Sequence, residues 1–168
     1  EIKKRYGGHR HDRHIALLKN EHPALDARDL MRETSILFKH SHLYLYRDAA
    51  PFLMHWKNKG QVLALASNGD RFQKKKIAAS GVLPFFKKAI VREGPKSLFI
   101  KELAVLAKHE RIIFIDDKKT VLEEVRKNMP QVMTVQIVRR NTQERSKRVH
   151  ATGHTLAAAS AFIKKHMS

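Results

Sequence analysis

Two hydrophobic textures divide the chain near residue 60. Before it, apolar residues recur at helical spacing: HIALLKN and then PALDARDLMRETSILFKH, with Pro23 near its start, predict one or two amphipathic helices. RDAAPFLMHWKNKG predicts another, with Asp48 as its N-cap, Pro51 in its first turn and Gly60 just past its end. After Gly60, short continuous apolar runs alternate with helical stretches. The runs QVLALAS (61–67), KKAIV (87–91), RIIFI (111–115) and QVMTVQIV (131–138) predict strands. Among them lie a Lys-rich helix following Asn68 and Gly69, then GPKSLFIKELAVLAKHE (94–110), KKTVLEEVRKN (118–128) and TLAAASAFIKKH (155–166). RRNTQERSKRVHATGH (139–154) reads as a basic loop. Strands without polar alternation, separated by helices, imply a parallel sheet covered on both faces, an α/β, Rossmann-like architecture. Residues 1–47 then form a small helical head and 48–168 the α/β core.

Composition narrows the class of partner. The 168 residues carry 34 Lys and Arg against 16 Asp and Glu, a formal charge of +18. Such a field attracts polyanions: nucleic acid, anionic lipid or phosphorylated small molecules. A basic surface that is merely solvated is the plain alternative. Two clusters, Arg71, Lys74, Lys75 and Lys76, and Arg139, Arg140, Arg145, Lys147 and Arg148, are placed to contact a nucleic-acid backbone. Few aromatic residues accompany them, which argues against base stacking. The chain has no cysteine, so disulfide and thiolate chemistry are excluded and a cytoplasmic setting fits. No apolar run is long enough to span a bilayer. G-x-S-x-G and G-x-G-x-x-G are both absent, which removes the serine-hydrolase and dinucleotide readings.

Candidate chemistry collects where strands end. In an open parallel sheet, ligands bind beyond the carboxyl ends of the strands. Ser67-Asn68-Gly69-Asp70 follows the first strand, Lys96 opens the helix after the second, and Asp116-Asp117 follows the third. A hydroxyl, an ammonium and two carboxylates at one rim suit a phosphate group held with magnesium. The simpler readings are that Asp117 caps the helix over 118–128 and that Ser67-Asn68-Gly69 is only a turn.

These motifs, in this order, resemble the haloacid dehalogenase-like (HAD) superfamily of phosphohydrolases from about residue 48 to the C-terminus. ALASNGD (64–70) resembles the strand ending in the phosphate-binding Ser or Thr, and IIFIDD (112–117) the strand ending in metal-binding acids. Within EGPKSLFIKELA (93–104), Lys96 matches the motif lysine, with Lys101 as the weaker alternative. The resemblance implies a Mg²⁺-dependent phosphomonoester hydrolase working through an aspartyl-phosphate. Ser67 and the Asn68 amide would hold phosphoryl oxygens, Lys96 would serve catalysis by neutralising charge, and Asp116 and Asp117 would seat Mg²⁺. The helices before the first matched strand would correspond to a small cap.

One family element is missing from the pattern. The seven aspartates stand at 12, 26, 29, 48, 70, 116 and 117, and none forms Asp-x-Asp after an apolar strand. No nucleophile is therefore assigned. The strand that would carry it, mid-sheet between the second and fourth motif strands, is expected to be missing, through truncation or natural loss. The chain alone is expected to lack phosphatase activity. Two strand edges would face a gap, giving marginal stability or association that hides them.

Overall fold

The computed structural model describes residues 11–107 and 111–167. Helices α1 (His11–Glu21), α2 (Ala27–Lys39) and α3 (Ala49–Asn58) precede strand β1 (Ala64–Asn68). Then follow α4 (Arg71–Ala79), β2 (Lys88–Arg92), α5 (Lys96–Ala104), β3 (Ile113–Asp116) and α6 (Lys119–Asn128). Strands β4 (Met133–Ile137) and β5 (Ala151–Gly153) and helix α7 (Leu156–Met167) complete the chain. The fold is α/β with parallel strands flanked by helices, as the apolar runs predicted.

Local chemistry explains most boundaries. Pro23 lies in the turn after α1 rather than inside a helix, and Asp26 starts α2 by accepting the Arg28 amide at 2.7 Å. Gly60 ends α3 as expected, at φ 77°: its amide bonds the Lys57 carbonyl and the Gln61 amide bonds that of Trp56, a Schellman closure. Asp48 departs from its expected role. It sits at the head of α3 but makes no capping bond there. Its carboxylate instead accepts from Arg139 Nη2 at 2.7 Å and from the Leu156 amide, the first residue of α7, at 2.9 Å. Asp48 thus caps a helix far away in sequence, where an unpaired N–H and a guanidinium together offer more than a local amide.

The strands form two parallel groups, β1–β2 and β3–β4–β5, with no ladder joining them among the described residues. The two groups are tied at one corner near the ends of β1 and β3. Asn68 Nδ2, ending β1, donates to the Gly94 carbonyl, and Lys96, two residues on, reaches Asp116 at the end of β3. Strand alternation separates the covering layers. Phe114 and Ile112 pack with Ile100, Val125 and Met129 of the α5–α6 layer. Ile113 and Ile115 pack with Phe52, Ala159 and Phe162 of the α3–α7 layer. Trp56 is buried between α3 and α7 and donates to Ser160 Oγ at 3.0 Å.

Between β1 and β3 lies a cavity of about 380 Å³. Leu65 and Ala66 line one side, Ile113 and Ile115 the other, with Leu53 of α3 and Leu103 of α5 contributing from the layers. Among the described residues the two strand groups thus face each other across this cavity rather than through a ladder. The helical head leans elsewhere: α1 packs on α2, and α2 on α4, where Phe38 meets Phe72 edge-on at 6.1 Å.

The basic stretch 139–154 is more ordered than a loop. It contains β5, which adds to β4 in parallel from Ala151 to Gly153. Three residues without an apolar run give no strand signal, so the sequence could not show it.

Candidate functional site

Backbone geometry brings the motif residues to the common corner. β1 ends at Asn68, and the chain turns through Gly69 into α4, whose first amides at Phe72 and Gln73 donate to Asp70 Oδ1 at 2.9 and 3.2 Å. Gly69 is required by space: a Cβ there would lie 2.5 Å from Cβ of Gln73. Ser67 Oγ accepts from Gln73 Nε2 at 3.0 Å, which leaves its own O–H to donate.

Lys96 is the first residue of α5, and its ammonium donates to Asp116 Oδ2 at 2.5 Å. The two side chains keep only 16% and 6% of their surface exposed, so this is a sheltered ion pair. Lys101, the alternative lysine, is exposed further along the same helix. The start of α5 is held from outside. Pro95 offers no side-chain cap, and Glu124 of α6 accepts both the Ser97 amide, at 3.2 Å, and the Ser97 hydroxyl. A carboxylate at a helix N-terminus satisfies otherwise open amides and matches the dipole there. Glu124 therefore fixes the element that aims Lys96.

The adjacent acids differ in environment. Asp116 Oδ1 accepts the Lys118 amide at 2.9 Å, closing the turn into α6. Asp117 is the more open of the two and accepts weakly from Gln143 Nε2 at 3.4 Å. Desolvation of its inner side, and next the charge of Asp116, raises the Asp117 pKa above the ordinary carboxylate value. Asp117 does not cap α6, whose N-cap is Lys118 with no side-chain bond. The capping role expected of Asp117 thus falls to Asp116, acting on the turn.

Residues that sequence reasoning passed over complete the corner. Gln136 of β4 is fully buried, donates to the carbonyls of Asp117 and Glu144 at 3.2 and 2.7 Å, and accepts the Ser146 amide at 2.8 Å. It pins the basic segment against the Asp116–Asp117 turn. Ser146 adds a bond to Glu123 at 2.7 Å. The available signal was a glutamine inside the apolar run QVMTVQIV, since a buried polar side chain demands partners. The second basic cluster is also split. Arg139 turns inward to Asp48 and lies 3.9 Å from the Tyr46 ring centre, while Arg140, Arg145, Lys147 and Arg148 stay exposed.

Among the described residues no three His, Cys, Asp or Glu gather as a metal cage. Asp116 and Asp117 are the adjacent oxygen donors that would suit a hard cation.

Solved structures resemble this arrangement. A HAD phosphatase from Thermococcus onnurineus superposes with a TM-score of 0.59 at 20% identity, over 71% of this chain and 58% of that one. A dehalogenase solved as an intermediate complex gives 0.68 at 18% identity, over 88% and 68%. The Bacillus subtilis protein YfnB, solved bound to magnesium, gives 0.65 at 18% identity, over 90% and 69%. The fold is haloacid dehalogenase-like. No family model matches the sequence, and no curated protein matches it. The chain spans 58% to 69% of the length of these HAD-fold structures. No helix of the described residues is long and apolar enough to cross a membrane.

Proposed function

We propose that this chain carries the phosphate- and magnesium-binding part of a HAD-like phosphomonoester hydrolase and, lacking a nucleophilic aspartate, does not complete the reaction alone. The observation that carries the reading is the sheltered contact of Lys96 with Asp116, beside the Asn68–Gly94 bond that draws the end of β1 to the same corner. Ser67 and Asn68 would bind phosphoryl oxygens, and Lys96 would neutralise their charge. Asp116 and Asp117 would hold Mg²⁺ through their carboxylate oxygens. There the ion would supply charge neutralisation for a phosphoryl group.

Thermal shift with Mg²⁺ and inorganic phosphate tests the reading. Together they are expected to raise the Tm of the wild-type chain, and Asp117→Asn is expected to abolish the shift. No turnover of p-nitrophenyl phosphate is expected. Magnesium-dependent turnover by the purified chain, or a shift indifferent to Mg²⁺ and Asp117, overturns it.

A second reading, a non-catalytic binding module for nucleic acid on the same fold, is favoured by the exposure of Arg71, Lys74, Lys75 and Lys76 along α4. Salt-dependent retention on RNA without a metal requirement supports that reading.

A further inference from the structure

We propose that the corner takes the phosphorylated end of a single-stranded nucleic acid, whose neighbouring nucleotides follow the basic segment 140–148 and stack a base on Tyr46. This assignment rests on the phosphate reading of the corner given above, and it names the molecule that carries the phosphate.

Three observations select that ligand. The first is an aromatic platform. The stretch 139–154 contains no Phe, Trp or Tyr, yet the fold lays Tyr46 against its first residue. The Arg139 guanidinium lies 3.9 Å from the Tyr46 ring centre and is itself fixed by Asp48 at 2.7 Å, so the ring rests on a braced support. Tyr46 nonetheless stays 55% exposed. An exposed ring backed by a guanidinium offers a base a stacking surface, and stacking is the contact that separates nucleic acid from other polyanions. Bases in a duplex are already stacked on each other, which selects a single strand.

The second is continuity with the corner. The Arg140 amide donates to Gln143 Oε1 at 2.9 Å, and Gln143 Nε2 donates to Asp117 Oδ2 at 3.4 Å. One side chain thus joins the turn after Arg139 to the acidic pair. The third is charge held in place. Ser146 is buried, its amide bonded to Gln136 and its hydroxyl to Glu123, and Arg145 and Lys147 on either side are exposed. Arg140 and Arg148 are exposed as well, and none of these cations has an acidic partner among the described residues. Glu144, the one acid of the segment, is taken by Lys119 at 3.3 Å. A small phosphate ester would leave these cations unused, whereas the phosphates of a strand meet them in series. An anionic membrane fits less well, because 140–148 has no apolar residue to insert among lipids.

The test uses the full chain with Mg²⁺ and a short oligothymidylate, labelled at one end and bearing a phosphate or a hydroxyl at the other, in both polarities. Fluorescence anisotropy is expected to show about tenfold tighter binding of a phosphorylated strand than of its hydroxyl counterpart. Tyr46→Leu is expected to weaken that binding about tenfold, and Tyr46→Phe, which keeps the ring, to retain it. Arg145→Gln combined with Lys147→Gln is expected to lower the slope of log affinity against log salt by about 1.4. Equal affinity for phosphorylated and hydroxyl strands, a duplex or polyglutamate bound as tightly, or indifference to Tyr46→Leu overturns the proposal. The thermal shift with Mg²⁺ and inorganic phosphate separates the two failures. Where that shift is present, such results remove the strand alone; where it is absent, the phosphate-binding corner falls with it.

Discussion

β1 and β4 arise from runs that look alike, LALAS and MTVQI, yet they end in different surroundings. β4 lies between β3 and β5, under α6 and α7, and buries Thr134, Val135, Gln136 and Ile137. Among the described residues β1 has one partner, and it buries none of its five residues. Val62, just before it, is 48% exposed. An apolar run of the central-strand type that stays half-covered shows that burial belongs to neighbours as much as to composition. One half of the sheet is a closed core. The other half is held at its corner and open along its edge.

The largest effect expected from this contrast is between two leucines. Leu122, fully buried under β3 and β4, should cost about 4 kcal/mol when changed to alanine, while Leu65 of β1 should cost about 1 kcal/mol. Urea unfolding of both variants measures the difference, and equal costs would mean that β1 is as enclosed in solution as β4. Next comes the tie across the halves. Lys96→Met leaves Asp116 sheltered without its cation and should destabilise by about 3 kcal/mol. Adding Asp116→Asn should recover much of that loss, and strictly additive costs in the double-mutant cycle would sever the proposed tie.

The smallest effect concerns acid. Burial first, then the charges of Arg126 and His166, holds the His150 pKa below 6.5. Its Nδ1 accepts the Thr134 amide at 2.9 Å, a bond that only the neutral ring can accept. For Asp48, burial opposes ionisation, but the Arg139 hydrogen bond, the Leu156 amide and the Arg139 charge outweigh it and hold the pKa below 3.8. Both native pKa values lie below their ordinary ones, so the unfolded chain binds more protons as pH falls, and stability decreases. The loss begins below 6.5 through His150 and resumes below 3.8 through Asp48. Melting scans should show a modest early decline that His150→Gln removes. Since both groups brace the β3–β5 half, hydrogen exchange should quicken there before it changes in β1; the reverse order would undo the contrast.

Fold and corner were legible to different depths. Four apolar runs located β1 to β4, because strands flanked by helices carry mostly apolar residues whether or not they end fully buried. β5 gave no such signal, since ATG is short and, among the described residues, pairs on one side. Ser67, Lys96 and Asp116 could be named because each lies at or just after the end of an apolar run, a position readable from local pattern. The role of Asp48 was hidden, because its partners Arg139 and Leu156 lie 91 and 108 residues away. Gln73 and Gln143 were hidden for a related reason: side-chain reach from a helix or loop leaves no periodic trace.

Among the described residues the hydrogen bonds of Glu124 go to Ser97 and not to Asp116 or Asp117, yet it anchors the ramp from which the ammonium projects. A neutral substitution there would rotate that ramp and blunt the corner while every residue named for chemistry stayed intact. Damage to such a protein can therefore originate on the back of a neighbouring helix, in a residue whose only task is to keep another one pointing the right way.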